Sequence, residues 1–153
     1  MWNAEKGQNM NVFAGHSGQV NAVEFTNDGK KIVSVSDDAS LRIWDPRTAK
    51  SLSVIQGFGF HEEAITSLAI HPDSPTCVSG SVDGGAFITN TQTGKCVGEL
   101  KGHEDSVEDF CFIPHFPWVA SASLDGKVGL WDISTLQPRN FFNNENGTPL
   151  TKT

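Results

Sequence analysis

No run in this chain of 153 residues is long and apolar enough to span a membrane, and its start has neither a basic cluster nor an apolar signal core. Membrane insertion and secretion are disfavoured on that ground, and a cytoplasmic location is expected. Basic residues are scarce: 11 Lys and Arg stand against 18 Asp and Glu, for a net charge of −7 and a pI near 5.1. So acidic a chain repels a phosphate backbone. Direct nucleic-acid binding is therefore not expected, and a basic protein partner is favoured. Cysteine is sparse as well. Cys77, Cys96 and Cys111 are odd in number, lack C-x-x-C spacing and fall among strand-forming residues, the pattern of free, buried thiols in a reducing compartment. In that setting the Asn146-Gly147-Thr148 sequon reads as a turn and not as a glycan site. Also missing are a helical apolar period, a Gly-rich phosphate cradle and a Gly-x-Ser-x-Gly nucleophile elbow.

What the chain does have is short apolar runs separated by turn chemistry. Val20–Phe25, Lys31–Ser34 and Leu41–Trp44 read as strands, as do Ile65–Ile70, Thr76–Ser79 and Ala86–Thr89, and then Val107–Ile113, Trp118–Ser121 and Val128–Trp131. Between them lie Asn27-Asp28-Gly29, His71-Pro72-Asp73-Ser74, Asp83-Gly84 and Asp125-Gly126, residues that tolerate tight or left-handed backbone. A fourth strand should follow each set, at Ser51–Ile55, Cys96–Leu100 and Pro138–Phe142.

The sets are copies of one another. His16, Ser34, Asp38 and Trp44 recur as His103, Ser121, Asp125 and Trp131 with identical spacing, 28 residues from His to Trp. His61, Ser79 and Asp83 repeat the pattern between them, with Thr89 in the tryptophan's place. The repeat distances are 45 and 42 residues, and the outer copies open on Gly-His and close on Trp-Asp. On these residues the chain resembles the WD-repeat family of β-propellers, in which each repeat corresponds to one four-stranded blade. The resemblance implies an all-β fold with three four-stranded antiparallel blades, at residues 15–56, 57–101 and 102–142, plus a partial blade at the N-terminus. Residues 1–14 are then the end of a preceding blade, with Met1 inside its third strand and Asn11–Ala14 as its outer strand, and 143–153 are a polar tail or the start of a next blade. A closed ring needs roughly four to eight blades. Three blades therefore imply an open arc of a larger ring, expected to have seven or eight blades, in which Met1 is an internal methionine or an artificial start. The remaining blades of the parent propeller become partners, and the bare faces predict poor solubility or self-association of the arc alone.

One loop breaks the register. Trp44 to His61 is three residues longer than Trp2 to His16 or Thr89 to His103, which places an insertion near Gly57-Phe58-Gly59-Phe60. Phe58 and Phe60 are expected to pack between blades in preference to forming a partner-binding knob.

A recurring His, Ser and Asp invites the idea of a hydrolase triad. An enzyme has no need of three copies, however, and no catalysis is expected. The family resemblance implies instead a buried hydrogen-bond chain from Trp indole through Ser and His to Asp, which ties one loop to another. In the middle unit Phe60-His61 replaces Gly-His and Thr89-Asn90 replaces Trp-Asp, so that chain lacks its indole donor and the blade should be the least rigid. His61-Glu62-Glu63 and His103-Glu104 begin like zinc-protease helices, but Ile65 and Val107 occupy the second ligand position. No metal or cofactor is expected. His71 and His115 fall in turns, where a solvated role is the default.

In WD-repeat proteins the loops before the inner strand and between the middle strands line one face of the disk and choose the partner. By offset from each repeat His, the resemblance assigns Gln19 and Asn21, Ala64 and Thr66, and Ser106 and Glu108 to that face, with Asp37, Val82 and Leu124 beside them. Glu62, Glu63, Glu104 and Asp105 surround these positions and make an acidic rim, whose contacts would be steered by charge and weakened by salt. Two stretches are more particular. Ser79–Gly84 followed by Asn90–Gly98, and Glu104–Val107 followed by Ser123–Lys127 and Trp131–Thr135, resemble consecutive blades of the WD-repeat group that holds the angio-associated migratory cell protein and fungal ribosome-assembly chaperones. That likeness implies a non-catalytic scaffold holding a basic ribosomal protein segment on its acidic loop face. A generic adaptor, such as a ubiquitin-ligase substrate receptor or a signalling scaffold, is the competing reading.

Overall fold

The computed structural model describes residues 1–143. The tail from 144 onward, with the sequon turn, lies outside the described residues. Among the described residues twelve strands form three separate four-stranded antiparallel sheets, each in simple sequence order. Blade one holds β1 (Val20–Phe25), β2 (Ile32–Ser36), β3 (Leu41–Trp44) and β4 (Ser51–Ile55). Blade two holds β5 (Ile65–Ile70), β6 (Thr76–Ser81), β7 (Ala86–Asn90) and β8 (Lys95–Leu100). Blade three holds β9 (Val107–Ile113), β10 (Trp118–Ser123), β11 (Lys127–Asp132) and β12 (Gln137–Asn143).

The tight β2–β3 connection places a residue in the left-handed region at the same repeat position in every blade. Gly84 and Gly126 sit there at φ +84° and +82°, and Ala39 adopts φ +60° in blade one. At Gly84 there is a second reason for glycine, because a Cβ would come within 2.7 Å of the His103 carbonyl oxygen of the next blade.

Burial is between blades, not within a sheet. One core joins Val33, Val35, Leu41, Ile43 and Ile55 of blade one to Phe60, Ile65, Leu68, Cys77 and Phe87 of blade two. The second joins Val78, Ala86, Ile88 and Leu100 to Val107, Phe110, Phe112 and Val119 of blade three. Strands β2 and β6 are buried along nearly their whole length because side chains from both faces of the pleat meet protein. The arc ends show the converse. Val20, Val23 and Phe25 on β1 are 49%, 61% and 51% exposed. At the same repeat offsets Ile65 and Val107, Leu68 and Phe110, and Phe112 are buried.

Four local expectations need correction. Asn11–Ala14 forms no strand; the segment before β1 is closed by a single antiparallel bridge between Trp2 and Asn9. Asn11 instead donates from Nδ2 to the Pro46 carbonyl at 3.0 Å, which fastens the segment to blade one. Of the cysteines, all free, Cys77 is buried, but Cys96 is only partly covered and Cys111 is exposed. His71 is not solvated: it is buried with its ring edge-on to Phe112 at 4.8 Å, and its Nδ1 accepts the Asp73 N–H at 3.0 Å. Finally, the two insertion phenylalanines part company. Phe60 packs into the interblade core, whereas Phe58 is fully exposed.

Candidate protein-binding face and its hydrogen-bond scaffold

In blades one and three the repeated residues meet in one chain of hydrogen bonds. Trp44 Nε1–H donates to Ser34 Oγ at 2.8 Å, Ser34 Oγ and His16 Nε2 are 2.7 Å apart, and His16 Nδ1 lies 3.0 Å from Asp38 Oδ2. Trp131, Ser121, His103 and Asp125 give 2.8, 2.7 and 2.9 Å at the same steps. The proton direction follows from the ends. A carboxylate only accepts, so Nδ1 carries the hydrogen; Nε2 then accepts the serine hydroxyl, whose oxygen accepts the indole N–H. The serine oxygen is thus committed on both sides and is not poised as a nucleophile. Burial alone would raise the Asp38 pKa. Donors from the Ser40 hydroxyl, the Ser17 and Ser40 backbone N–H groups and His16 outweigh it and hold the carboxyl well below the usual range. Asp125 is lowered against the same opposing burial, chiefly by His103 and then by the Lys127 and Glu104 N–H groups.

Blade two keeps one link of this chain. His61 Nε2 lies 2.8 Å from Ser79 Oγ, but His61 Nδ1 and Thr89 Oγ1 are buried with no hydrogen-bond partner. Asp83 is exposed and reaches only its own turn, accepting the Gly85 N–H at 2.8 Å. Aromatic packing replaces the missing indole: Phe60 and Phe87 stand edge-on to the His61 ring at 4.6 and 4.7 Å. Burial there pushes the His61 pKa down to about 4, against the opposing pull of Asp83. Among the described residues no group of three His, Cys, Asp or Glu side chains is placed to hold a metal ion.

The residues assigned to the partner face divide into two kinds. At Asn21, Thr66 and Glu108 the inner strand carries a β-bulge against its neighbour in all three blades. The bulge re-aims the extra side chain. Asn21 Nδ2 donates across the blade boundary to the Ile65 carbonyl at 2.8 Å, and Thr66 Oγ1 likewise to the Val107 carbonyl at 2.8 Å. These two side chains act as latches between blades. Glu108, at the same position in the last blade, accepts the Ser106 hydroxyl at 2.5 Å. Beside them, the Asp37, Val82 and Leu124 N–H groups donate to the Gln19, Ala64 and Ser106 carbonyls at 2.9, 3.1 and 2.9 Å, stitching the loop before each inner strand to the β2–β3 type turn. The outward side chains that remain are Gln19, Asp37, Glu62, Glu63, Val82, Glu104 and Asp105, all exposed. Glu104 is paired with Lys127 Nζ at 3.2 Å; Ser106 is buried, and Ala64 and Leu124 are half-buried.

Sequence reasoning missed the latch role because bulges leave no mark in composition. It also missed Ser40, whose hydroxyl donates to Asp38 at 2.6 Å, and Phe87, which stands where blade one has Arg42 and blade three Gly129.

Stacked four-stranded blades, tied by a Trp-Ser-His-Asp chain and exposing a loop face, define an open arc of a β-propeller. The family description "WD domain, G-beta repeat" matches residues 7–45, 52–90 and 94–132, and the chain belongs to this WD40-repeat family. The matched units are offset from the blades: each takes in three strands of one sheet, and the second and third begin with the outer strand of the sheet before, β4 and β8. WD40-repeat proteins are non-catalytic scaffolds that bind other proteins. The human angio-associated migratory cell protein is 28% identical over 162 residues, covering 96% of this chain and 37% of that protein. The pre-mRNA-splicing factor cwf17 of Schizosaccharomyces pombe is 31% identical over 107 residues, covering 69% of this chain and 30% of that protein. The small ribosomal subunit protein RACK1y of rice, Oryza sativa subsp. japonica, is 29% identical over 123 residues, covering 79% and 35%. Among solved structures, that of U3-55K superposes with a TM-score of 0.84 at 23% identity over 90% of this chain and 43% of its own, a likeness of fold. The chain thus spans about a third of the length of the curated relatives it matches. No helix among the described residues is long and apolar enough to cross a membrane.

Proposed function

We propose that this chain is part of a scaffold that holds a basic protein segment, of the ribosomal kind, on its acidic loop face. The observation that carries the reading is the concentration of outward carboxylates on the face where the histidine loops and aspartate turns meet. Asp37, Glu62, Glu63, Asp83, Glu104 and Asp105 are all exposed there, and Lys127 answers only Glu104. A face of that sign attracts Lys- and Arg-rich segments and repels nucleic acid. The names of two relatives, a small ribosomal subunit protein and a splicing factor, place those proteins in ribonucleoprotein assemblies, where basic proteins abound.

The test is affinity capture from extract at low and high salt, with bound proteins identified by mass spectrometry, for the native chain and for Glu104→Lys with Asp105→Lys. The expected result is one basic ribosomal protein, with a loss in the double variant that is larger at low salt, where screening is weak. Ligase or signalling subunits held through high salt would move the assignment to a generic adaptor.

A further inference from the structure

We propose that a notch on the rim of blade two receives an arginine side chain of the partner, an inference that rests on the basic-partner reading above. The cavity measures about 600 Å³, and its walls include Phe58, Phe87, Glu62, Asp83, Glu99 and Lys101. Comparison of the three blades shows why it is open. In blade one the niche beside the repeat histidine loop is filled from within by Arg42, whose guanidinium lies 5.8 Å from the Trp44 ring and so close to Gly15 that a Cβ there would meet Nη1 at 2.5 Å. In blade three the niche is filled by Phe141, edge-on to Trp131 at 5.1 Å and to His103 at 5.5 Å. Blade two has Glu99 where blade three has Phe141, and Phe87 where blade one has Arg42. Phe87 packs inward on His61, no aromatic ring stands in Phe141's place, and the niche is walled by Phe58, Phe87 and the carboxylates of Glu62, Asp83 and Glu99.

The insertion completes the site. Gly57 and Gly59 take φ +84° and +81°, and between them Phe58 is raised clear of the blade at 106% relative exposure. The break in the hydrogen-bond chain supplies the charge. Asp38 and Asp125 are committed to their histidines, whereas Asp83 is exposed and makes no bond to His61. His61 keeps Nε2 on Ser79 and leaves Nδ1 buried without a partner, the atom that meets the aspartate in both sister blades. Lys101 is neutralised by Glu99 at 3.1 Å, while Glu62 and Asp83 have no ion-pair partner among the described residues. A guanidinium suits these walls better than an ammonium. Its flat face stacks on a phenyl ring while its edge donates in a fork to a carboxylate.

The experiment is a ¹⁵N NMR titration of the 153-residue chain with capped peptides of alternating Gly and Arg, and with matched Lys and citrulline peptides. The arginine peptide is expected to shift the amides of Gly59, Glu62 and Gly85 and to bind about three- to five-fold more weakly to Phe58→Ala and to Asp83→Asn. Both side chains are exposed, so each variant should keep the native melting temperature; Phe58→Ala decides the matter if Asp83→Asn does not. Shifts confined to the Glu104–Asp105 rim would remove the notch and leave the acidic-face reading standing. No shift anywhere would remove both, and equal binding of the lysine peptide would overturn the guanidinium assignment.

Discussion

Replacing Ser121 with alanine removes a hydroxyl that serves two rings at once. Its oxygen accepts the Trp131 indole N–H at 2.8 Å, and its hydrogen goes to His103 Nε2 at 2.7 Å. Neither ring can turn to water, since Trp131 is 0% exposed and the His103 side chain 1%. A buried donor or acceptor left unmet costs about 1–3 kcal/mol, so the variant, which strands two, should lose about 2–6 kcal/mol. Blade two provides an internal control. Ser79 is equally buried but meets only His61, at 2.8 Å, with no indole to strand. Ser79→Ala, which strands one, should therefore lose about 1–3 kcal/mol, roughly half as much. The assay is urea unfolding of both variants, read from the midpoint at unchanged slope. Equal losses, or a larger loss for Ser79→Ala, would refute the additive role given to the indole. An unchanged Ser121→Ala would refute the chain altogether.

Acid should weaken the fold in a defined window. His61 has a folded pKa of about 4 against an ordinary 6.5, so between those values the unfolded chain binds a proton that the folded chain refuses. Stability is then full above about pH 6.5 and falls by up to about 3 kcal/mol as the pH drops toward 4. Unfolding midpoints measured across that range should slope downward in the native chain and be flatter in His61→Gln; an identical slope in both would exclude His61 as the source. Below about pH 4 the lowered carboxyls of Asp38 and Asp125 add a second loss as they protonate. For the insertion loop, Phe60→Ala should cost about 3–5 kcal/mol because that ring is core, whereas Phe58→Ala should stay within about 0.5 kcal/mol. Comparable losses in thermal melts would contradict the split between the two rings.

Strand positions were legible because turn residues punctuate short apolar runs, and a blade is a meander of neighbours in sequence. β1, β3, β4, β5 and β9 have the bounds the apolar runs suggest, and the remaining strands differ by one or two residues at one or both ends. Asn11–Ala14 failed for a physical reason. An outer strand needs a continuous ladder to its neighbour, and here the cross-chain backbone bonds stop at Asn11, which pairs with Met1 beside the Trp2–Asn9 bridge. The spacing of His, Ser, Asp and Trp likewise pointed to the residues that meet in blades one and three, and the loss of Trp in blade two was visible at Thr89. What filled the gap was not. Phe87 reads as an ordinary strand residue until the sheet sets it beside His61.

Sequence by itself determined the repeat, the blade count within this chain, the acidic balance and the place of the insertion, because each depends on residue type and spacing along one dimension. Tertiary structure alone decided which polar side chains face outward and which fasten one blade to the next. Asn21 and Thr66 carry the same offset as a partner-contacting residue would, yet a bulge turns them onto carbonyls of the adjacent blade. The burial of Phe60 was settled in the same way, by contacts between blades that are distant in sequence and touch only when stacked, whereas Phe58 stays exposed between two left-handed glycines.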